Sequence, residues 1–384
     1  MFYSRGLKFI AFYSLVAGSP ANGQSAAQPA CRDHAREMSA AIADVHRRQR
    51  NVGLAAVVML RGQTVLAENL GYADLENRVP VTSATRFGVA SITKAFTGLA
   101  LLKLHESGRI DLDAPIQRYV PSFPVKPGGT ITPRLLAAHL AGIRHWGNER
   151  NATLYARHFD DINDVLPLFK DDTLVAAPGT AWNYSSYGYN LIGAAIQSAS
   201  GTKYQDFVNR EIIAPLGLKD TGYDDVRFVL PHRARRYSYF DPWTFAIDSV
   251  HLYRVPDWDY SHNPAGGNMY STAADLARFG RAVEKPGLLS KESLALLMKR
   301  PKVGAVESSM SFGFFVSPDT AAHRRINIGG SNAGLQSGLS IYPDDDLVIA
   351  VISNTWGIGS PSGEMTGALP LRLAAICMGW KPVP

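Results

Sequence analysis

The 384-residue sequence predicts an α/β chain of the segregated α+β kind, with one antiparallel sheet built from both chain ends and a mostly helical stretch inserted between them. Three observations carry this. Strand patterns with a tight turn occur near the N-terminus, they recur only in the last third, and the residues between, roughly 132 to 275, read as short helices and loops. Two strands, a helical insertion, further strands and a closing helix describe one layered unit rather than two independent ones.

Taken in order, Arg5 and Lys8 precede the apolar run Phe9 to Gly18 and the small and polar stretch Ser19 to Gln28. That is the layout of a secretory signal peptide over residues 1–27. The run is too short to cross a bilayer as a helix, so residues 28–384 are expected to be exported, periplasmic or secreted, with no integral membrane span. Arg32 to Arg48 has helical composition. Gly53 to Leu60 and Thr64 to Tyr72 form a hairpin around Arg61-Gly62-Gln63. Ala95 to Leu104 is apolar nearly all round through Phe96, Leu99, Ala100, Leu102 and Leu104, as a buried helix is.

Asp111 to Pro127 carries Pro115, Pro121, Pro124 and Pro127 and marks the exit from the first unit. Helices follow at Pro133 to Leu140, Asn163 to Phe169, Tyr189 to Ser198 and Tyr204 to Ile213, and Ser271 to Asp275 caps another over Leu276 to Val283. Strands return at Phe312 to Val316, Arg324 to Ile328, Gly334 to Tyr342 and Leu347 to Ser353, with Pro343-Asp344-Asp345-Asp346 as the last hairpin turn. Gly367 to Cys377 closes the chain as a helix. The sheet part is thus 28–110 with 275–384, and the helical part 111–274.

Hydrophobic content of 46% and charged content of 19% are those of a soluble globular protein with a substantial core. The net charge of +6 is scattered among acids, and its densest cluster, His232-Arg233-Ala234-Arg235-Arg236, is a short solvated loop. Nucleic acid is therefore not an expected partner. Cys31 and Cys377 admit either a disulfide tying the termini in an oxidising compartment or two free thiols. Their spacing suggests no metal site, and neither a metal nor an organic cofactor is expected.

The chemistry concentrates at Ser91-Ile92-Thr93-Lys94. A serine hydroxyl needs an adjacent base to become a nucleophile, and residues three apart at a helix start share one face. Lys94 thus reaches Ser91, and burial lowers its pKa toward the range of a working base. Tyr184-Ser185-Ser186, on a turn entering a helix, offers a phenol beside that lysine. The strand segment Ile328-Gly329-Gly330-Ser331-Asn332-Ala333-Gly334 has glycines that permit close ligand approach. A backbone N–H near Ser331 pairs with that of Ser91 as an oxyanion hole.

Together these segments resemble the serine β-lactamase and penicillin-binding-peptidase superfamily, in its class C-like branch, over roughly Arg32 to Cys377. Gly71-Tyr72-Ala73-Asp74, Ile131 to Ile143 and Ala265 to Thr272 add to the likeness, and Gly142 to Trp146 looks most like the animal mitochondrial member. The resemblance implies a β-lactamase/transpeptidase-like fold, Ser91 as acylated nucleophile, Lys94 as its proton acceptor or electrostatic partner, and Tyr184 as the tyrosine of a Y-x-N motif. Ser91 and Ser331 would supply the oxyanion N–H groups, with Gly330, Ser186, Ile328 and Asn332 beside the substrate.

Two positions depart from the pattern: Ser186 stands in place of the motif's asparagine, and Ile328 in place of the cation of K-T-G or H-x-G. An apolar residue there suits an uncharged acyl group, unless Arg324 or Arg325 replaces the cation. The implied function is a serine hydrolase acting on an ester or amide bond of a small-molecule or peptide substrate, with weak or no β-lactamase activity. The same departures also fit a protein that binds a β-lactam or peptidoglycan fragment without turnover. Oligomeric state is not legible.

Overall fold

A computed structural model describes residues 31–146, 152–244, 246–285, 287–318, 323–358 and 363–380. The predicted signal segment lies outside these residues. The main sheet has eight strands: β1 (Gly53–Leu60), β2 (Gln63–Asp74), β3 (Val79–Pro80), β4 (Met310–Ser311), β5 (Phe314–Val316), β6 (Ile326–Asn332), β7 (Leu335–Tyr342) and β8 (Leu347–Ser353). Their order is β4-β5-β6-β7-β8-β1-β2-β3. The seam between the two chain ends is the antiparallel pairing of β1 with β8, in register Ala56↔Val351 and Val57↔Ala350.

Because successive side chains in a strand point to opposite faces, each central strand is apolar on both sides and buried throughout. Leu54, Ala56, Val58, Ile349 and Val351 meet the terminal helices α1 (Ala35–Arg48) and α5 (Leu369–Met378) through Met38, Ile42, Val45, Leu369 and Leu373. A Cys31–Cys377 disulfide joins the beginning of the described chain to α5, which decides between the two cysteine states that the sequence leaves open.

Ala55, Val57, Ile326, Ile328, Leu339, Ile341 and Ala350 belong to the larger core on the opposite face, with helices α2 (Thr93–Glu106), α3 (Ser186–Ser200) and α4 (Ala273–Glu284). Phe96 of α2 stacks on Phe279 of α4 at 3.8 Å. Gly98 is required where α2 crosses the chain at Phe312, since a Cβ there would strike the Phe312 carbonyl.

Several elements differ from the sequence expectations, among them the helix expected at Pro133 to Leu140, which ends at Ala137, and that expected at Asn163 to Phe169, which is a 3₁₀ helix over Ile162–Leu168. Ser91 lies in a 3₁₀ turn, Ala90–Ile92, ahead of α2 rather than within an α-helix. α3 begins three residues earlier than its apolar pattern suggests, because the Ser185 hydroxyl accepts the Gly188 N–H at 2.9 Å and caps it. β6 joins the expected Arg324 to Ile328 strand and the glycine-bearing segment after it into one strand ending at Asn332, and the glycines pair in full register with β7. The segment Tyr204–Ile213 is α-helical only to Val208 and then widens into a π turn. Among the described residues, no helix is long and apolar enough to cross a membrane.

Candidate active site

The site is assembled where α2, the start of α3 and β6 converge. Gly88 pairs with Tyr270, the Val89 N–H donates to the Met269 carbonyl at 2.9 Å, and the Ser337 hydroxyl donates to the Val89 carbonyl at 2.8 Å. These contacts hold Ala90 in the left-handed region at φ +43°. For a residue with a Cβ that conformation costs about 1–3 kcal/mol and persists only where its surroundings impose it. The turn brings Ser91 into the cleft, with Lys94 three residues on, in the first turn of α2.

Lys94 is fully buried, and its Nζ lies 3.2 Å from Ser91 Oγ, 3.0 Å from Ser186 Oγ and 2.6 Å from the Gly266 carbonyl oxygen. Burial disfavours its charged form and pushes its pKa down to about 7. The Tyr184 hydroxyl donates to Ser91 Oγ at 2.8 Å. Burial pushes the phenol up to about 12, against a smaller opposing effect of that hydrogen bond. At neutral pH Tyr184 is therefore a proton donor, and Lys94 is available as an acceptor.

Two histidines that the sequence did not single out position this tyrosine. His139, buried and at φ +58°, stacks on the Tyr184 ring at 4.5 Å, and its Nδ1 accepts the Ser185 N–H at 3.0 Å. Burial, reinforced by Lys94 and His145, holds its pKa well below the usual imidazole range. His145 accepts the Ser186 N–H on Nδ1 at 3.2 Å and meets Tyr184 edge-on at 5.4 Å. The sequence signal was a histidine inside an apolar run, Leu135 to Ile143, which marks burial but not the contact.

β6 forms the facing wall. The Ser317 N–H donates to the Arg325 carbonyl at 2.9 Å, so the N–H and C=O of Arg325, and of alternate residues after it, point toward β5. β5 pairs only as far as Asn327. The N–H groups of Gly329 and Ser331 therefore face an edge with no strand partner among the described residues. Gly330 lies against the nucleophile's turn: a Cβ on it would sit 3.1 Å from Ser91 N and collide with the Val89 carbonyl.

The resulting cleft has a volume of about 570 Å³. Ser91, Tyr184, Ser186, Gly330, Ser331 and Asn332 line it, so the structure brings these expected residues together with Lys94 at its floor.

Ile328 is the exception. It is 1% exposed, pairs with Leu339 and belongs to the core beneath the cleft, so it does not supply the apolar wall expected of it. Ile328 shares its face of β6 with Gly330, which abuts the Ser91 turn, but two residues earlier that face runs beneath the cleft and packs into the core. Neither arginine replaces a cation there: Arg324 pairs with Asp344 at 2.9 Å in the distant hairpin turn, and Arg325 lies against Tyr342.

Trp146, Tyr155, Tyr260 and Phe315 add aromatic surface to the cleft, and Asn263 and Asn327 add neutral polar groups. No described lining residue carries a formal charge as a lysine, arginine, aspartate or glutamate. Among the described residues no group of three or more His, Cys, Asp or Glu side chains is placed to hold a metal ion.

The family model described as Beta-lactamase matches residues 35–369. The chain belongs to the beta-lactamase family. It is 32% identical to the human serine beta-lactamase-like protein LACTB, mitochondrial, over 93% of this chain and 83% of that protein. In structure it resembles the octameric penicillin-binding protein homologue from Pyrococcus abyssi, with TM-score 0.76 and 23% identity over 90% of this chain and 77% of the other. It also resembles the D-amino acid amidase from Ochrobactrum anthropi, with TM-score 0.75 and 23% identity over 91% and 98% of the two chains. The fold is thus that of the beta-lactamase and transpeptidase-like hydrolases, mixed helix and antiparallel sheet.

Proposed function

We propose that the protein is a serine hydrolase that cleaves an uncharged ester or amide through an acyl-Ser91 intermediate. The observation that carries this is the placement of one oxygen, Ser91 Oγ, within hydrogen-bond reach of both the Lys94 amine at 3.2 Å and the Tyr184 phenol at 2.8 Å. Neutral Lys94 accepts the serine proton as Oγ attacks the carbonyl carbon. The N–H groups of Ser91 and Ser331 hold the oxyanion. Tyr184 protonates the leaving group as its bond breaks, and the Lys94 ammonium then returns a proton to the phenolate. Water then hydrolyses the acyl-enzyme with Lys94 again as base, and Ser91 recovers its proton.

The uncharged lining favours a neutral acyl group, since a carboxylate brought there without a partner loses several kcal/mol of hydration. An esterase or amidase thus fits better than an efficient β-lactamase. The shared fold includes a D-amino acid amidase. The Cys31–Cys377 disulfide supports an oxidising location, consistent with export.

The test incubates the chain and its Ser91→Ala variant with a fluorophosphonate probe, p-nitrophenyl butyrate and a chromogenic cephalosporin. The expected result is labelling and butyrate hydrolysis by the wild type, reduced about 10³-fold or more in the variant, with little cephalosporin turnover. A wild type that neither labels nor turns over any of the three better than the variant overturns the proposal and leaves ligand binding without turnover.

A further inference from the structure

A second cavity, of about 220 Å³, shares no lining residue with the catalytic cleft and differs from it in charge. It lies between the short helix Pro133–Ala137, the chain that follows the helix Lys291–Leu297, and Phe312. Its floor is apolar, made by Leu135, Ala138, Leu140, Leu296, Val303 and Phe312. Main-chain carbonyls of this floor are already engaged. Ala137 accepts the Tyr189 hydroxyl at 2.9 Å, Ala138 the Ser308 hydroxyl at 2.7 Å, and Leu296 the Ser311 hydroxyl at 3.1 Å. These groups need no partner from a ligand, so the floor suits hydrocarbon. It is also fixed in place. Phe312 is buried at φ +43°, its carbonyl stands where a Cβ on Gly98 would be, and Gly313 packs on the Lys94 carbonyl. The cavity therefore backs onto α2.

Arg134, Lys299, Arg300 and Lys302 surround this floor, and no described lining residue is acidic. Two of the four have partners: Arg134 is held by Asp113 at 2.7 Å and Arg300 by Glu307 at 3.0 Å. Lys299 and Lys302 are exposed, and neither has a carboxylate within 4 Å among the described residues. Two positive charges thus stand uncompensated around one concavity with an apolar floor, where their fields add.

We propose that this cavity is a binding site for a small aliphatic carboxylate, with its chain on the apolar floor and its carboxylate between Lys299 and Lys302. The size agrees. A dry apolar cavity of about 150 Å³ admits benzene, so the larger volume here holds a chain of about six carbons. An amphipathic anion matches floor and rim at once, whereas inorganic phosphate leaves the floor uncovered and a neutral chain leaves the lysines uncompensated. The catalytic cleft, without a formal charge in its described lining, makes the opposite selection. The site does not depend on turnover at Ser91.

Ligand-observed NMR titrations of the full chain compare hexanoate, butanoate and hexanamide. Hexanoate is expected to bind about tenfold more tightly than butanoate, since each buried methylene is worth about fourfold. It is expected to bind about fivefold more tightly than hexanamide, a margin that shrinks in about 1 M salt as the exposed charges are screened. Lys299→Ala/Lys302→Ala removes that margin. Both lysines are exposed, and an unchanged urea midpoint shows that the variant is folded. Photolysis of bound 4,4-azipentanoate, followed by peptide mass spectrometry, locates the site. Labels within 134–140 or 296–303, or on Phe312, support the proposal. Labels only outside these segments, the catalytic cleft included, overturn it. So do equal affinities for hexanoate and hexanamide, a hexanoate affinity unchanged in the folded double variant, or no binding of hexanoate at about 10 mM.

Discussion

The two faces of the central sheet are built from the same kind of alternating apolar strand and serve opposite ends. One face meets α1 and α5 through Met38, Ile42, Val45, Leu369 and Leu373 and is closed by the Cys31–Cys377 disulfide. The other meets α2 and α4, and within that otherwise apolar layer it buries Lys94 and leaves Ala90 in a strained backbone conformation. The terminal face contributes stability. The catalytic face gives some of it up to hold an amine out of water.

The sharpest way to break this comparison is Lys94→Met. Loss of the base is expected to lower kcat/KM for a neutral ester by about 10³-fold or more. The same variant tests the stability cost. Lys94 is held at about 7 in the folded chain against an ordinary 10.5, so between these values the unfolded chain binds the extra proton and wild-type stability rises with pH. The penalty is full below about pH 7 and is relieved above about pH 10.5. The shift corresponds to roughly 5 kcal/mol. Urea titrations at pH 7 and pH 9.5 should therefore show the wild type gaining several kcal/mol relative to Lys94→Met as pH rises. A constant difference between the two chains would mean that Lys94 is not held neutral by burial, and the two faces would not differ in this respect.

The opposite test removes the clamp. Cys31→Ser is expected to destabilise the chain by roughly 2–5 kcal/mol, since the bridge closes nearly the whole described chain into one loop. The measurement is the urea midpoint, together with ester hydrolysis at 25 °C. If the faces are separate in function, the midpoint falls while kcat/KM in the folded chain stays within about twofold. A matching loss of kcat/KM would show that the terminal face also shapes the cleft.

How far the sequence reaches divides along the same line. α2 was legible because Phe96, Leu99, Ala100 and Leu102 make it apolar all round while Ser91 and Lys94 stand at its start, and the β1–β2 hairpin and the β7–β8 turn were legible from local alternation. What local pattern does not encode is depth and facing. Nothing in the string around Ala90 announces a positive φ, which is imposed by Met269 and Ser337 from distant segments. His139 and Asn263 are polar residues in unremarkable stretches whose contacts exist only after α3 and the Gly266 loop come together. Ile328 is legible as a strand residue but its surroundings are not, because two residues along one face of β6 separate the cleft at Gly330 from the core.

That last point gives the smallest effect and the finest test. If Ile328 is core, Ile328→Val removes one buried methylene and costs about 0.5–1.5 kcal/mol. The relative kcat/KM for p-nitrophenyl butyrate and for a succinate monoester of the same alcohol should then stay unchanged. If its side chain instead formed the substrate wall, the change would alter this ratio with little loss of stability. The two readings thus move different observables, and Ile328→Val separates them more cleanly than Ile328→Lys. The lysine would place an ammonium beside Leu339 in a layer already holding one buried amine, and unfolding would hide any change in preference.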